Sequence, residues 1–150
     1  MLSPEKVNKI AFLQDDFPPD SQGGAGIVAH NLAIGLKKRG YDVIIVTSTK
    51  GCDSYSIDKD GLRIYRITTR DFGRLKYYWC LFNPLTVFKI RNIFRKEKPD
   101  IVHCHNLHTA LSYFSLKIAV RYSKKVFLTA HDAMLFNFGK VIVDELGTDI

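Results

Sequence analysis

The stretch Lys9–Ser48, KIAFLQDDFPPDSQGGAGIVAHNLAIGLKKRGYDVIIVTS, decides the fold of this chain. Two short apolar runs, Lys9–Gln14 and Asp42–Ser48, flank an amphipathic segment that we expect to be helical from Ala25 to Arg39. The apolar runs are continuous rather than alternating, which is typical of strands that are covered on both faces. This order of strand, helix and strand predicts a parallel pair with a right-handed crossover.

The same alternation continues along the rest of the chain. Further strands are predicted at Leu62–Thr68, Asp100–His105 and Val126–Ala130, and further helices at Pro84–Lys98 and Thr109–Ser123. A turn at Asp58–Gly61 predicts a local hairpin. The whole pattern predicts an α/β fold: a Rossmann-like, doubly wound, mainly parallel sheet with helices on both faces. The tail FGKVIVDELGTDI offers one more strand without a closing helix, so we expect the chain to be a truncated piece of a longer protein.

Local signals support the helix limits. Gly40 follows three cations and predicts the end of the first helix, while Asn83 and Pro84 form a capping pair at the start of another. On a helical wheel the buried face of the first helix is predicted to hold Ala25, Val28, Ala29, Leu32 and Leu36. The opposite, solvent-facing side is predicted to hold His30, Lys37 and Lys38.

Composition excludes several classes of protein. The chain has 150 residues, of which 46% are hydrophobic and 25% charged, as in ordinary globular domains. No apolar run approaches the roughly 20 residues that span a bilayer, and the start of the chain lacks the apolar core of a secretion signal. Three cysteines without CxxC spacing predict reduced thiols in a cytoplasmic protein. The net charge of +7 is dispersed, with a modest concentration in KIRNIFRKEKPD, and we expect no nucleic-acid partner. Such a surface suits anionic lipid or phosphorylated metabolites equally well, and most of the charges fit ordinary solvated helix faces.

The glycine loop admits three interpretations. Gly24, Gly26 and Ala29 formally match a dinucleotide fingerprint, but a long loop separates them from the first strand and no acid ends the second strand. A phosphate site fits better, because Gly23 and Gly24 allow close backbone approach and positive φ, and they lead into a helix N-terminus. A simple tight turn stays open as the third interpretation.

Four segments in order resemble the N-terminal domain of family 4 glycosyltransferases: the opening stretch, then DGLRIYRI, KPDIVHCHN and VFLTAHD. The resemblance extends to about Lys140, and it implies one half of the GT-B architecture. Residues 1–150 would be the acceptor-side domain, with the C-terminal nucleotide-sugar domain absent. It further implies a retaining transferase of the hexosyltransferase type with no metal or other cofactor, inactive as the isolated fragment. Many relatives have His or Tyr at the position that is Val28 in this chain. His30 lies two positions later, so we assign it no function from the resemblance.

The resemblance also implies site residues. His131 matches the catalytic histidine of the cleft, with Asp132 orienting it, and Gly23 and Gly24 would approach the donor diphosphate or the acceptor. Ligands of open α/β sheets bind beyond the carboxyl ends of the strands, where we also expect His105 and Asn106 to contact substrate. The expected partners are a nucleotide-sugar donor, a sugar or lipid-linked acceptor and the missing C-terminal domain. A peripheral position at the inner membrane face fits the basic charge.

Two alternatives stay open. The first is a stand-alone binding module whose stretch FGRLKYYWCLFNP contacts a membrane or a protein partner through Tyr77, Tyr78, Trp79 and Phe82, unless this stretch is a buried loop. The second is a zinc hydrolase. His103, His105 and His108 approach the spacing of a zinc-hydrolase signature, but Leu107 stands in place of its aspartate and further ligands are unmatched.

Overall fold

The computed structural model describes residues 7–20, 23–58, 60–70, 73 and 76–131. These ranges contain six strands: β1 (Lys9–Gln14), β2 (Asp42–Thr49), β3 (Ser54–Ile57), β4 (Arg63–Thr68), β5 (Ile101–Cys104) and β6 (Lys125–Leu128). They also contain four helices: α1 (Gly24–Lys38), α2 (Lys76–Leu81), α3 (Pro84–Glu97) and α4 (Phe114–Tyr122). Asp132 and the strand predicted in the tail lie outside the described residues.

The six strands form one sheet in the order β3–β4–β2–β1–β5–β6. Neighbouring strands are parallel except β3 and β4, which pair antiparallel across the predicted turn. Asp58 shapes that turn, because its carboxylate accepts hydrogen bonds from the backbone N–H groups of Asp60 and Leu62 at 2.9 and 2.8 Å. The predicted mainly parallel sheet with a local hairpin is confirmed.

Helices cover both faces of the sheet, and alternate residues of each strand point into the two core layers between the sheet and the helices. From β1, Ala11 and Leu13 join the layer that packs against α3 and α4, whereas Ile10 and Phe12 join the layer that packs against α1. All four side chains are buried. The doubly wound architecture predicted from the sequence is therefore confirmed.

Helix α1 ends as predicted but buries a different face. Gly40, with a φ of 89°, donates its N–H to the Lys37 carbonyl at 2.9 Å, and Tyr41 donates to the Leu36 carbonyl at 3.3 Å, which together form a Schellman end. The predicted core residues Val28 and Leu32 are 50% and 39% exposed. That part of the wheel prediction is wrong.

The face that α1 does bury is made of small residues: Gly26, Ala29 and Ala33. A Cβ atom on Gly26 would stand 2.7 Å from the backbone oxygen of Asp16, so the helix approaches the end of β1 more closely than any other residue would allow. His30, predicted to face solvent, packs its ring edge-on against buried Phe17 with centroids 5.4 Å apart. The close approach of α1 to the sheet therefore requires small side chains on the buried face of the helix, where the hydrophobic pattern alone predicts bulky ones.

The other helices differ from prediction at particular points. Asn83 caps α3 by accepting from the Thr86 N–H at 3.3 Å, with Pro84 next, as predicted. Helix α4 begins at Phe114 rather than Thr109, because the preceding residues form a turn bound to a buried acid described below. Helix α2 lies in the aromatic stretch and was not predicted. None of the described helices is long and apolar enough to cross a membrane.

An ion network centred on Glu97, at the end of α3, joins the starts of three strands. Its carboxylate accepts from Lys9 Nζ at 3.0 Å, from Arg63 Nη1 at 2.8 Å and from the Tyr65 hydroxyl. Arg63 also donates to both carboxylate oxygens of Asp42 at 2.9 and 2.7 Å. Burial opposes ionisation of Glu97, whose side chain is 5% exposed, but the surrounding donors lower its pKa to about 2.

We expect Glu97→Gln to lower the free energy of unfolding by about 3 kcal/mol at neutral pH, because it removes a buried, charged acceptor from Lys9 and Arg63 and leaves these half-buried cations with Asp42 as their remaining acidic partner in the network. A carboxyl group with a lowered folded pKa stabilises above its unfolded pKa, ordinarily 4.5, and loses that contribution as pH falls towards about 2. Urea denaturation should therefore show that the difference in unfolding free energy between the unmodified protein and Glu97→Gln becomes smaller from neutral pH to about pH 3.

The matched control is Asp53→Asn, which removes an exposed ion pair with Lys89. This control should cost less than about 1 kcal/mol at neutral pH. A deficit of Glu97→Gln that stays constant over the acid range would contradict the role assigned to the ionised carboxylate.

Candidate functional site

The carboxyl ends of the parallel strands lie along one edge of the sheet, and the candidate site residues follow those ends. His105 and Asn106 come directly after β5, and His131 follows β6. The loop after β1 leads to Gly23 and Gly24 at the start of α1. Apart from Asp132, which is outside the described residues, the predicted site residues therefore share the edge at which α/β sheets bind ligands.

Of these residues, His105 and His131 are brought into direct contact. His105 Nδ1 lies 2.7 Å from His131 Nε2, and the two rings lie end to end and nearly coplanar, with centroids 5.1 Å apart and planes 18° from parallel. His103 lies beside His105, with 4.3 Å between ring centroids, and its Nε2 is 2.8 Å from Thr129 Oγ1. The parallel register of β5 and β6 places these residues side by side. The result is a row of three imidazole rings across two strand ends.

Two of these imidazoles are held neutral at physiological pH. Burial is the main cause that lowers the pKa of His105 to about 4, and the nearby His103 and His131 lower it further. Burial, followed by the neighbouring His131, also lowers the pKa of His103. A neutral imidazole offers one donor and one acceptor. The row therefore supplies directed hydrogen bonds without placing fixed positive charge on these two rings.

The zinc hypothesis required His103, His105 and His108 to share a cation, and the structure does not assemble them. His103 bonds to Thr129 and His105 bonds to His131. Over the described ranges, a single group of three histidine, cysteine or acidic side chains has its ligand atoms within 4.8 Å of one another: His30, Asp58 and Asp60. That group lies between α1 and the β3–β4 turn and contains none of the predicted ligands.

One buried carboxylate holds the loop that follows β5. Asp15, directly after β1, is 2% exposed. Its Oδ2 accepts from the N–H and hydroxyl of Thr109 at 2.7 and 2.6 Å, and its Oδ1 accepts from the N–H groups of Ala110 and Leu111 at 3.1 and 2.7 Å. Burial raises the pKa of Asp15, while these hydrogen bonds oppose the rise. A carboxylate suits this position because every partner is a donor.

The backbone of Asp15 joins the neighbouring strand ends. Its N–H donates to the Asn106 carbonyl at 2.9 Å, and its carbonyl accepts from the N–H and hydroxyl of Ser48 at 3.1 and 2.8 Å. The Thr47 hydroxyl donates to the same carbonyl at 3.1 Å. Beside it, Gln14 Oε1 accepts from the Asn106 N–H at 3.2 Å. The end of β1 therefore fixes the ends of both β2 and β5.

The structure changes the reason for the glycines at the start of α1. Gly23 has an ordinary extended backbone (φ −65°, ψ 142°) and Gly24 is helical, so the predicted use of positive φ is wrong for both. A Cβ atom on Gly24 would meet nothing within 4 Å, which leaves space for a ligand to approach. No acidic residue lies in the first turn of α1, so the positive end of its dipole is not neutralised there.

Two residues that shape the site are missed by sequence reasoning. For Asp15 a signal exists: polar Gln14 and Asp15 extend a strand whose later residues are all buried, and a buried acid requires a set of donors. For Gly26 the signal is hidden, because its spacing fits a dinucleotide fingerprint while its actual role is close packing against Asp16.

Comparison with known proteins gives consistent matches. The sequence model of the family described as Glycosyltransferase Family 4 matches residues 22–145. The UDP-N-acetylglucosamine–N-acetylmuramyl-(pentapeptide) pyrophosphoryl-undecaprenol N-acetylglucosamine transferase of Clostridium botulinum (strain 657 / Type Ba4) is 37% identical over 89 residues, or 53% of this chain and 24% of the relative. An uncharacterized glycosyltransferase of Methanocaldococcus jannaschii is 29% identical over 110 residues, or 73% of this chain and 27% of the relative. The chain thus spans about a quarter of the length of these relatives.

Among solved structures, the sucrose-phosphate synthase from Thermosynechococcus elongatus aligns with 95% of this chain and 37% of its own chain. The TM-score is 0.68 and the sequence identity 15%. At this identity the likeness concerns the fold alone, and it agrees with the Rossmann-like sheet described above.

We expect Asp15→Asn to loosen the loop after β5. The amide NH₂ group would replace one carboxylate oxygen, and it cannot accept the hydrogen bonds that the loop donates to that oxygen. Hydrogen-exchange mass spectrometry should show amide exchange at Thr109–Leu111 faster by at least about tenfold, the equivalent of losing one hydrogen bond of ~1.4 kcal/mol. Asp16→Asn makes the same chemical change at the exposed neighbour and should leave that exchange unaltered. Identical exchange in the two variants would show that the carboxylate does not hold the loop.

Proposed function

The chain belongs to Glycosyltransferase Family 4, with the sheet of an N-terminal GT-B domain, and from this premise we propose that it supplies the acceptor-side wall of a sugar-transfer site. The intact enzyme would move a hexosyl group from a nucleotide-sugar donor to an acceptor, with retention of anomeric configuration and release of a nucleoside diphosphate. The observation that carries the proposal is the contact of His131 with His105 at the ligand-binding edge of a family 4 sheet.

The chemistry of the edge fits such a reaction. Departure of a nucleoside diphosphate builds negative charge on the leaving group while the sugar becomes oxocarbenium-like. The start of α1 offers the positive end of a helix dipole, and the open space at Gly24 lets a phosphate come near. His131 would donate a hydrogen bond to the sugar or to the developing charge. Asp132 is proposed to orient His131, and Asn106 to contact the acceptor.

A second domain would complete the site. We propose that a C-terminal nucleotide-sugar domain faces this edge and that residues 1–150 alone are inactive. The Clostridium botulinum relative carries in its name both a UDP-linked sugar and a pyrophosphoryl-undecaprenol acceptor. By analogy the donor here is a nucleotide sugar and the acceptor a lipid-linked one. The net charge of +7 favours both, since each carries a diphosphate. No resident metal or cofactor is needed in this proposal.

The proposed role of His131 can be measured in the intact enzyme. We expect His131→Ala to lower kcat/KM by at least about a hundredfold, the usual loss when one transition-state donor is removed. His30→Gln is the matched control, because His30 is also half-buried but lies on α1, where its Nε2 is 4.0 Å from Asp58 Oδ2. The activity of this variant should stay within about threefold of the unmodified enzyme. A His131→Ala enzyme that matches His30→Gln would remove His131 from the reaction.

An exposed apolar surface beside the site supports a second proposal, contact with a membrane. Large side chains on α2, on the α2–α3 connection, on α3 and at the start of α4 are exposed: Tyr78 (74%), Leu81 (52%), Phe82 (49%), Leu85 (62%), Phe88 (59%) and Phe114 (38%). The rings of Phe82 and Phe114 meet edge-on with centroids 4.9 Å apart, which joins the α2–α3 connection to the start of α4. We call these six residues the apolar patch. Trp79, predicted to belong to it, is half-buried, and the side chain of Tyr77 is outside the described residues.

Two features connect the apolar patch with a lipid-linked acceptor. Its rim is cationic, since Lys117 Nζ lies 5.3 Å from the Phe114 ring centroid. The start of α3 is also bound to the site loop, because Asn83 Nδ2 and Thr86 Oγ1 each lie 3.4 Å from the Ala110 carbonyl oxygen. Exposed aromatic and aliphatic groups beside cations are typical of surfaces that bind anionic bilayers. We propose that the patch seats the enzyme peripherally on the inner membrane face.

Liposome sedimentation tests this second proposal. The intact protein should bind vesicles that contain anionic lipid, and the double variant Leu85→Ser and Phe88→Ser should reduce the bound fraction at least about fivefold. Ile57→Ser is the matched control, because Ile57 on β3 is also 62% exposed but lies outside the patch. If the double variant and the control sediment alike, the patch is not the membrane contact.

A further inference from the structure

The hydrogen bond between His105 and His131 has two possible directions, and burial distinguishes them. The atoms involved are His105 Nδ1 and His131 Nε2, 2.7 Å apart. One of these nitrogens carries the shared proton and the other accepts it. The direction of the bond therefore fixes the tautomer of both rings at once.

The deciding atom is the other ring nitrogen of His105. The residue is 2% exposed, and its Nε2 is buried without a hydrogen-bond partner among the described residues. On one side the ring stacks on Phe12, with centroids 5.7 Å apart and planes 20° from parallel. If His105 accepted the bond at Nδ1, its proton would sit on Nε2 as a buried, unpaired N–H donor. Orphaned N–H donors are costly in protein interiors and are rarer there than under-satisfied acceptors.

We propose that His105 carries its proton on Nδ1 and donates it to His131 Nε2, and thereby fixes His131 as the tautomer protonated on Nδ1. His105 is then a positioning residue rather than a substrate contact. Its place is further secured by His103, whose ring centroid is 4.3 Å from that of His105 and whose Nε2 lies 2.8 Å from Thr129 Oγ1. The assignment deepens the proposed function, on which the role of His131 at the sugar rests.

The consequence for chemistry is specific. The lone pair on His131 Nε2 is occupied by the proton from His105, and Nδ1 carries a proton of its own. His131 therefore has a hydrogen-bond donor to offer and no free lone pair for taking a proton from an acceptor hydroxyl. It acts as a donor to substrate oxygen, not as a general base.

Nuclear magnetic resonance of the intact enzyme with ¹⁵N-labelled histidine tests the tautomers directly and needs no activity. His105 should show a protonated Nδ1 and a bare Nε2, and His131 should show the same pattern; variants at each histidine assign the signals. A protonated Nε2 on His105, or a bare Nδ1 on His131, overturns the proposal. This measurement distinguishes the tautomer proposal from the proposed function. If the enzyme shows these tautomers but lacks sugar-transfer activity, the proposed function is refuted and the tautomer assignment stands.

Two variants of His105 test whether the donated proton matters. The side-chain amide of Asn can place an N–H near the position of Nδ1, whereas that of Gln reaches towards the position of Nε2. We expect His105→Asn to keep the tautomer of His131 and to retain kcat/KM about tenfold above His105→Gln, the effect of one hydrogen bond. Equal losses in the two variants, with both shown folded by thermal unfolding, would mean that His105 does not act through this donor.

Discussion

The functional edge of this molecule depends on the buried carboxylate of Asp15. Burying an acid is costly unless hydrogen bonds replace its water, and here Thr109, Ala110 and Leu111 provide four of them. The same bonds satisfy backbone N–H groups that a turn would otherwise leave unpaired. Through its own backbone Asp15 also holds the ends of β2 and β5. Asp15 thereby holds together the ends of β1, β2 and β5 and the turn at Thr109–Leu111.

The two edges of the sheet are held by different kinds of interaction. At the starts of the strands, Glu97 meets full positive charges on Lys9 and Arg63. At the ends of β1 and β5, the donors that Asp15 meets from the turn after β5 are neutral, and burial keeps His103 and His105 uncharged. Lys9 and Arg63 thus stabilise the fold at the edge far from the histidines. At the edge that carries the histidines, α1 adds partial charge from its dipole.

The sequence predicts this fold well where local signals and burial agree. Continuous apolar runs locate the parallel strands, and capping residues such as Asn83 and Gly40 locate helix ends. Prediction fails where tertiary contact overrides the local pattern. Val28 is exposed because α1 packs through its small residues. The helix predicted to begin at Thr109 begins at Phe114 because Asp15 binds Thr109 in a turn. The candidate histidines could be placed at one edge from topology alone. Their mutual contact could not, because it joins residues far apart in sequence through the register of β5 and β6.

The part of this edge formed by His103, His105 and the start of α1 offers neutral rings and a helix dipole, and this has a consequence for the proposed reaction. Full positive charges would bind the intact donor diphosphate strongly and would hold the released nucleotide equally well, which lowers KM without accelerating the chemical step. Oriented donors, held in advance by a rigid scaffold, favour the state in which charge is developing. The proposed hydrogen bond from His105 would fix the ring direction of His131 in this way, and His105 directly precedes Asn106, whose carbonyl accepts from the Asp15 N–H.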